Sequence, residues 1–154
     1  MLLRNTRVLI ASLALTALVG GPALADDGDI SDATKYRQQV METMGSSFGG
    51  FIQLFMNKVQ QPDNHIVANA QALAAAASLT ADLVPIGSQG GDALPAIWDE
   101  MDEYQKFAKS VADTTAELAA AAEAGDKAAM SKAFRAAGKS CKGCHDKFRE
   151  EHDH

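Results

Sequence analysis

Apolar side chains recur along this chain at steps of three and four, the spacing of one helix face, and nowhere at the strand period of two. The first series runs through Tyr36, Val40, Met41, Met44, Phe48, Phe51, Ile52, Phe55 and Val59, which predicts a first helix of about eight turns. Ser31 or Asp32 can cap it, and Pro62 in the Gln60 to Asn64 break stops it. Asp63 or Asn64 then caps a second, alanine-rich helix from Ile66 to about Leu83, with its stripe at Ile66, Ala70, Leu73, Ala77 and Ala81. Small residues on a stripe imply close neighbours. Val84 to Pro95 holds two prolines and Gly87, Gly90 and Gly91, a crossover loop in place of a tight turn. A third helix runs from Ala96 or Trp98 to Ala124, with Ile97, Met101, Tyr104, Phe107, Ala108, Val111, Thr115, Leu118 and Ala122 on its stripe and Gly125 at its end. Asp126 caps a fourth, whose seam carries Met130, Phe134, Ala137, Cys141, Cys144 and Phe148. Four amphipathic helices without strands predict an all-α fold, an antiparallel four-helix bundle.

The glycines of the first helix carry a second message. Each costs roughly 1 kcal/mol of helix propensity relative to alanine, so Gly45 and Gly49, stacked on one face, predict a kink or a close approach by a helix or a flat ligand, the approach being favoured.

The fourth helix contains Cys141-Lys142-Gly143-Cys144-His145. This is the C-x-x-C-H pattern of covalent c-type haem attachment. On a helix Cys141, Cys144 and His145 lie at i, i+3 and i+4, so one face can present two thiols to the vinyl groups of one haem and an imidazole to its iron. The motif stands on the buried seam, which places the cofactor in the core, where it also supplies volume that the alanines do not. Three plainer readings compete. A thioredoxin-like redox pair needs a βαβ context, and no strand pattern is near. A zinc site needs two further ligands, and His152 and His154 sit in a charged tail. Two inert buried thiols would make the adjacent histidine a coincidence.

Residues 1–25 have the layout of a secretory signal peptide, with Arg4 and Arg7 before an apolar run from Val8 to Val19 and Ala23-Leu24-Ala25 at the cleavage site. The run is short for a transmembrane span. Cleavage leaves residues 26–154 as one domain in the periplasm with no membrane anchor. The chain's two cysteines are both in the motif, and in an oxidising compartment haem thioethers are a fate for them other than a disulfide. Without Arg4 and Arg7, 12 basic side chains face 20 acidic ones, a formal charge of −8. That balance argues against nucleic acid or an anionic membrane as partner.

The chain resembles the class II c-type cytochromes, the cytochrome c′ family, over its whole mature length. The resemblance rests on Lys35-Tyr36-Arg37-Gln38-Gln39-Val40-Met41, on Pro95-Ala96-Ile97-Trp98, on Ala133-Phe134, and on Gly138 to Arg149 around the attachment site. It implies one covalently attached haem c held by Cys141 and Cys144, with His145 as proximal iron ligand. It also implies that Arg37 and Gln38 lie at the haem edge, where the arginine can pair with a propionate or form a solvated ion pair instead. Members of the family differ at the residue four after the first-helix arginine. Here that residue is Met41, which the resemblance makes the sixth ligand of a low-spin iron. Met44, one turn on, competes for the role, and a methionine on a helical stripe is ordinarily packing.

A His/Met iron suits electron transfer, because a six-coordinate centre rearranges little between oxidation states. The expected function is therefore a non-enzymatic carrier of single electrons between redox partners of the periplasm or the inner-membrane respiratory chain. The alternative is a high-spin protein that binds NO or CO at an open distal site. Phe134 and Phe148 are expected against the ring, and His65 in solvent. Lys132, Lys139, Lys142 and Lys147 make the haem-bearing helix locally basic, as a docking surface or, with more weight, a solvated face. A homodimer through the first two helices is permitted by the alanine-rich surface.

Overall fold

The computed structural model describes residues 30–151. The signal peptide expected at residues 1–25 lies outside the described residues. The elements are α1 (Asp32–Phe55), α2 (Asn64–Ala77), α3 (Ala96–Asp99), α4 (Met101–Glu123) and α5 (Lys127–Phe148), with a 3-10 turn at Thr80–Asp82. α1, α2, α4 and α5 form the antiparallel four-helix bundle that the pattern predicts, and no helix among the described residues is long and apolar enough to cross a membrane.

The caps are those the sequence indicates at two helices. Ser31 Oγ accepts from the Thr34 amide at 3.1 Å, and Asp126 Oδ1 accepts from the Ala128 and Ala129 amides at 2.9 and 3.0 Å, each satisfying donors that a helix start leaves open. Gly125, at φ 65°, ends α4 in the left-handed region where a Cβ would be strained.

Three boundaries differ from the pattern. α1 stops at Phe55, before Pro62, because Asn57 takes φ 53° and the Lys58 and Val59 amides fold back onto the Gln53 carbonyl at 2.9 and 3.3 Å. Val59 is thereby left in solvent. α2 gives way after Ala77 to the 3-10 turn, short of Leu83. The third helix divides at Glu100, whose φ −121° and ψ 45° are not helical. The short α3 then packs on both α4 and α5.

Two apolar clusters fill the interior. Phe51, Leu73, Leu118 and Met130 belong to the first, and Val84, Ile97, Tyr104, Cys144 and Phe148 to the second. The closely packed long-helix pairs are α1 with α2, α2 with α4, and α4 with α5. α1 and α5 are not such a pair. Phe48 of α1 stacks on Phe134 of α5 at 4.5 Å between ring centroids, and Phe51 lies 5.6 Å from the same ring. Phe134 is thus a bridge between helices and does not border the cavity described below.

Candidate haem site

α5 presents the motif to the interior. Cys144 is buried and Cys141 half-buried, both as free thiols. Burial, with a smaller contribution from Cys141, pushes the Cys144 thiol up to about 11, and burial raises Cys141 as well. Burial thus favours the S–H form of both, and the thiolate is the form that attacks a disulfide. His145 is shifted the other way, chiefly by burial and then by the Arg149 charge. Its imidazole is held neutral, the form that donates a lone pair to a metal. Among the described residues no three His, Cys, Asp or Glu side chains converge on a metal position, as a zinc site would require.

In front of the motif lies a cavity of about 610 Å³, within the roughly 300–1,000 Å³ of small-molecule and cofactor sites. Cys141, Cys144, His145 and Phe148 border it from α5, and Met41, Met44, Gly45 and Phe48 from α1. Tyr104 and Val111 of α4 and Leu73 of α2 close the back. A Cβ placed on Gly45 would meet nothing within 4 Å, so this glycine borders open space suited to a flat group. Gly49 also has no neighbour within that distance, and the close helix approach is at Gly50, where a Cβ would strike the Asn69 side chain. Two thiols, a neutral imidazole and a mainly apolar wall of this size fit a haem.

Arg37 and Gln38 also border the cavity. Arg37 is only 6% exposed, and its guanidinium holds the crossover loop. Its Nη1 donates to the carbonyls of Ser88 at 2.9 Å and Leu83 at 3.4 Å and to Ser88 Oγ at 3.2 Å, and its Nη2 donates to the Gly90 carbonyl at 2.9 Å. The guanidinium also lies 5.8 Å from the centre of the Trp98 ring, a cation–π distance. Thr34 Oγ1 adds a bond to the Ser88 carbonyl at 2.9 Å. The other end of the loop is tied to α5 by the Leu94 amide on the Phe148 carbonyl at 3.0 Å and the Glu150 amide on the Asp92 carbonyl at 2.8 Å. The loop therefore fixes the end of α5, and so the motif, relative to α1.

Three participants escaped the sequence reading. Tyr104 donates to the Thr80 carbonyl at 2.6 Å, and burial raises the pKa of its phenol. Its ring meets Phe148 edge-on at 5.8 Å. Phe48 borders the cavity in the place given to Phe134, and Thr34 helps to hold the loop. Tyr104 and Phe48 stood on stripes with no chemical signal beyond their spacing, and Thr34 stood on none. His65 is exposed in the first turn of α2, as expected.

A family model described as cytochrome c′ matches residues 32–149. The chain is 34% identical to cytochrome c′ of Alcaligenes xylosoxydans xylosoxydans over 120 residues, covering 78% of this chain and 94% of that protein. It is also 34% identical to cytochrome c-554 of Cereibacter sphaeroides, over 92% of this chain and 97% of the relative. Among solved structures, a ferrous variant of Alcaligenes xylosoxidans cytochrome c prime with bound NO superposes with a TM-score of 0.73 at 33% identity, covering 79% of this chain and 95% of that one. A CO-bound variant of the same protein gives 0.72 at 34%, covering 78% and 95%. With the motif facing a cavity between α1 and α5 and these likenesses spanning nearly the whole bundle, the chain belongs to the cytochrome c′ family and its cofactor is a covalently bound haem c.

Proposed function

We propose that Cys141 and Cys144 hold the haem as thioethers, that His145 is the proximal ligand, and that the distal face binds a small gas such as NO or CO. The observation that carries this reading is the distal wall. Met41, Met44, Gly45 and Phe48 line the α1 side of the cavity and offer a diatomic molecule mainly apolar surroundings. Variants of one relative, at 33–34% identity, have been solved with NO and with CO bound, which supports gas binding better than the electron-carrier reading. Bound haem supplies one-electron chemistry and, where its sixth position is open, a site for such a gas.

The protein's own residues set the conditions. His145 stays neutral and available through burial, Gly45 leaves room for a flat ring, and Arg37 and Gln38 stand where a haem edge would meet the crossover loop. In this reading Arg37 acts mainly as the loop's anchor, with a propionate as a further acceptor. The leader at 1–25 supports export and removal behind Ala25, so that the protein acts in the periplasm as a non-enzymatic haem protein served by redox proteins. A homodimer through α1 and α2 belongs to the same proposal.

One observation favours the second reading. Met41 is half-buried in the cavity wall, and a thioether there is a soft ligand able to complete a His/Met iron and make the protein an electron carrier. Visible absorption separates the two. If the site binds gas, the reduced holoprotein shows a high-spin spectrum that shifts on adding CO. A sharp low-spin spectrum indifferent to CO, with the weak ferric band of a methionine–iron bond, overturns gas binding. Met41→Ala would then open the site, and conversion by Met44→Ala alone would move the ligand one turn along α1.

A further inference from the structure

α5 differs from the rest of the chain in charge. Six of the chain's 14 basic residues lie on it, against one of its 20 acidic residues, Asp146. Lys132, Arg135, Lys139 and Lys142 follow one another at steps of three, four and three, so they share one face. All four are exposed. From Lys132 to Lys142 the stripe rises about 15 Å, at the helical rise of 1.5 Å per residue.

The other faces of α5 are accounted for. Ala133, Ala137, Cys144 and Phe148 are buried. Ser140 meets Thr114 of α4 at 2.9 Å, and Lys147 reaches Glu100 and Glu103 at 2.7 and 2.6 Å. Of the stripe, Lys142 is paired with Asp146 at 2.6 Å. Lys132, Arg135 and Lys139 form no ion pair with any described carboxylate, and Arg135 donates only to Ser131 Oγ of its own helix at 2.6 Å. Solvation alone explains an isolated lysine. A run of three unpaired cations of one sign, on a chain of net charge −6, is an oriented charge asymmetry on the helix that bears the haem motif.

We infer that this stripe docks a protein with an acidic face, one that delivers single electrons to the haem. Charge complementarity selects that occupant, because such a face steers encounter and sets orientation. An anionic membrane fits less well: four charges are at the bottom of the range for lipid-binding clusters, none of the exposed large apolar side chains stands on α5, and the rest of the protein is repelled. The transfer makes and breaks no bond; one electron leaves the reduced donor and converts ferric iron to ferrous. The surface serves either distal chemistry, and the inference rests only on the haem-c assignment.

The test uses the holoprotein with flavodoxin, an acidic one-electron donor, as probe. Binding is followed by amide chemical shifts and delivery by the rate of haem reduction. The expected result is shifts concentrated on α5, with affinity and second-order rate both falling about tenfold or more between low and physiological salt. The variant K132E/R135E/K139E, which leaves the cavity intact, should lose both at low salt while its CO response stays as in the parent. Salt-independent reduction, shifts on another helix, or a variant that behaves like the parent would overturn the inference. So would tighter binding of the parent to phosphatidylglycerol vesicles than to flavodoxin. An altered distal reading from the CO spectrum leaves these outcomes untouched.

Discussion

The two apolar clusters are built from helices of the same register, yet one closes and the other does not. Around Phe51 and Leu118 the side chains are fully buried, and the stacked rings of Phe51 and Phe134 fill the space between α1 and α5, with Phe48, stacked on Phe134, marking the border with the cavity. Toward Cys144 the facing residues include Gly45, Cys141 and Ala93, and about 610 Å³ stays open among them. Helical periodicity decides which face turns inward. Side-chain volume decides whether that face is filled, because interiors are packed nearly as densely as crystals and voids are costly.

The largest effect should come from denying the second cluster its haem. Without its occupant, a mainly apolar cavity of about 610 Å³ leaves the side chains on all its walls without packing partners, so losing the haem should lower stability more than any single substitution. The double variant Cys141→Ala/Cys144→Ala should therefore lose rigid packing at the motif end while the Phe51 end keeps slower amide exchange. Equal exchange at both ends would dissolve the contrast. Within the closed cluster, Phe51→Ala should lower unfolding stability by about 3–5 kcal/mol in denaturant titration, with little change in the haem spectrum.

The latch comes next. Arg37→Met would leave the carbonyls of Leu83, Ser88 and Gly90 without this donor, and should cost about 2–4 kcal/mol and speed exchange of the 83–91 loop. At the helix start, Asp126→Ala should cost about 1 kcal/mol, read as a small shift in thermal midpoint.

The smallest effect tests the outer edge of the second cluster. Lys147 holds Glu103 below its usual carboxylate value, and Glu100 and Glu103 raise Lys147. A depressed carboxyl contributes stability above its unfolded pKa and loses it as pH falls through the lower folded value. A raised lysine loses its share as pH climbs through the folded value above 10.5. The midpoint difference between parent and Lys147→Met should thus be flat through neutral pH and vanish in acid below pH 4.5. Both side chains are only partly buried and screened by solvent, so it should be small.

How far the sequence carries the site is clearest in α1. Its stripe correctly placed Val40, Met44 and Phe51 inside, but the same spacing ran on to Val59, where Asn57 had already turned the chain. Spacing also could not rank Phe134 against Phe48 as a wall of the cavity. Each is a phenylalanine on an apolar stripe, and only the rotation of one helix against the other determines which ring borders open space.

By itself the sequence determined the helical class, the capping at Asp126 and at the Ser31-Asp32 pair, the haem motif and the face on which its three groups stand. These are local: periods of three and four, a side-chain oxygen within reach of its own backbone, and two thiols and an imidazole within five residues. Only the tertiary structure decided that Arg37 grips a loop some fifty residues away, that the third helix breaks at Glu100, and that α1 and α5 stand apart around a cavity. Those outcomes depend on which distant carbonyls, rings and charges are brought together, and no spacing along the chain encodes that.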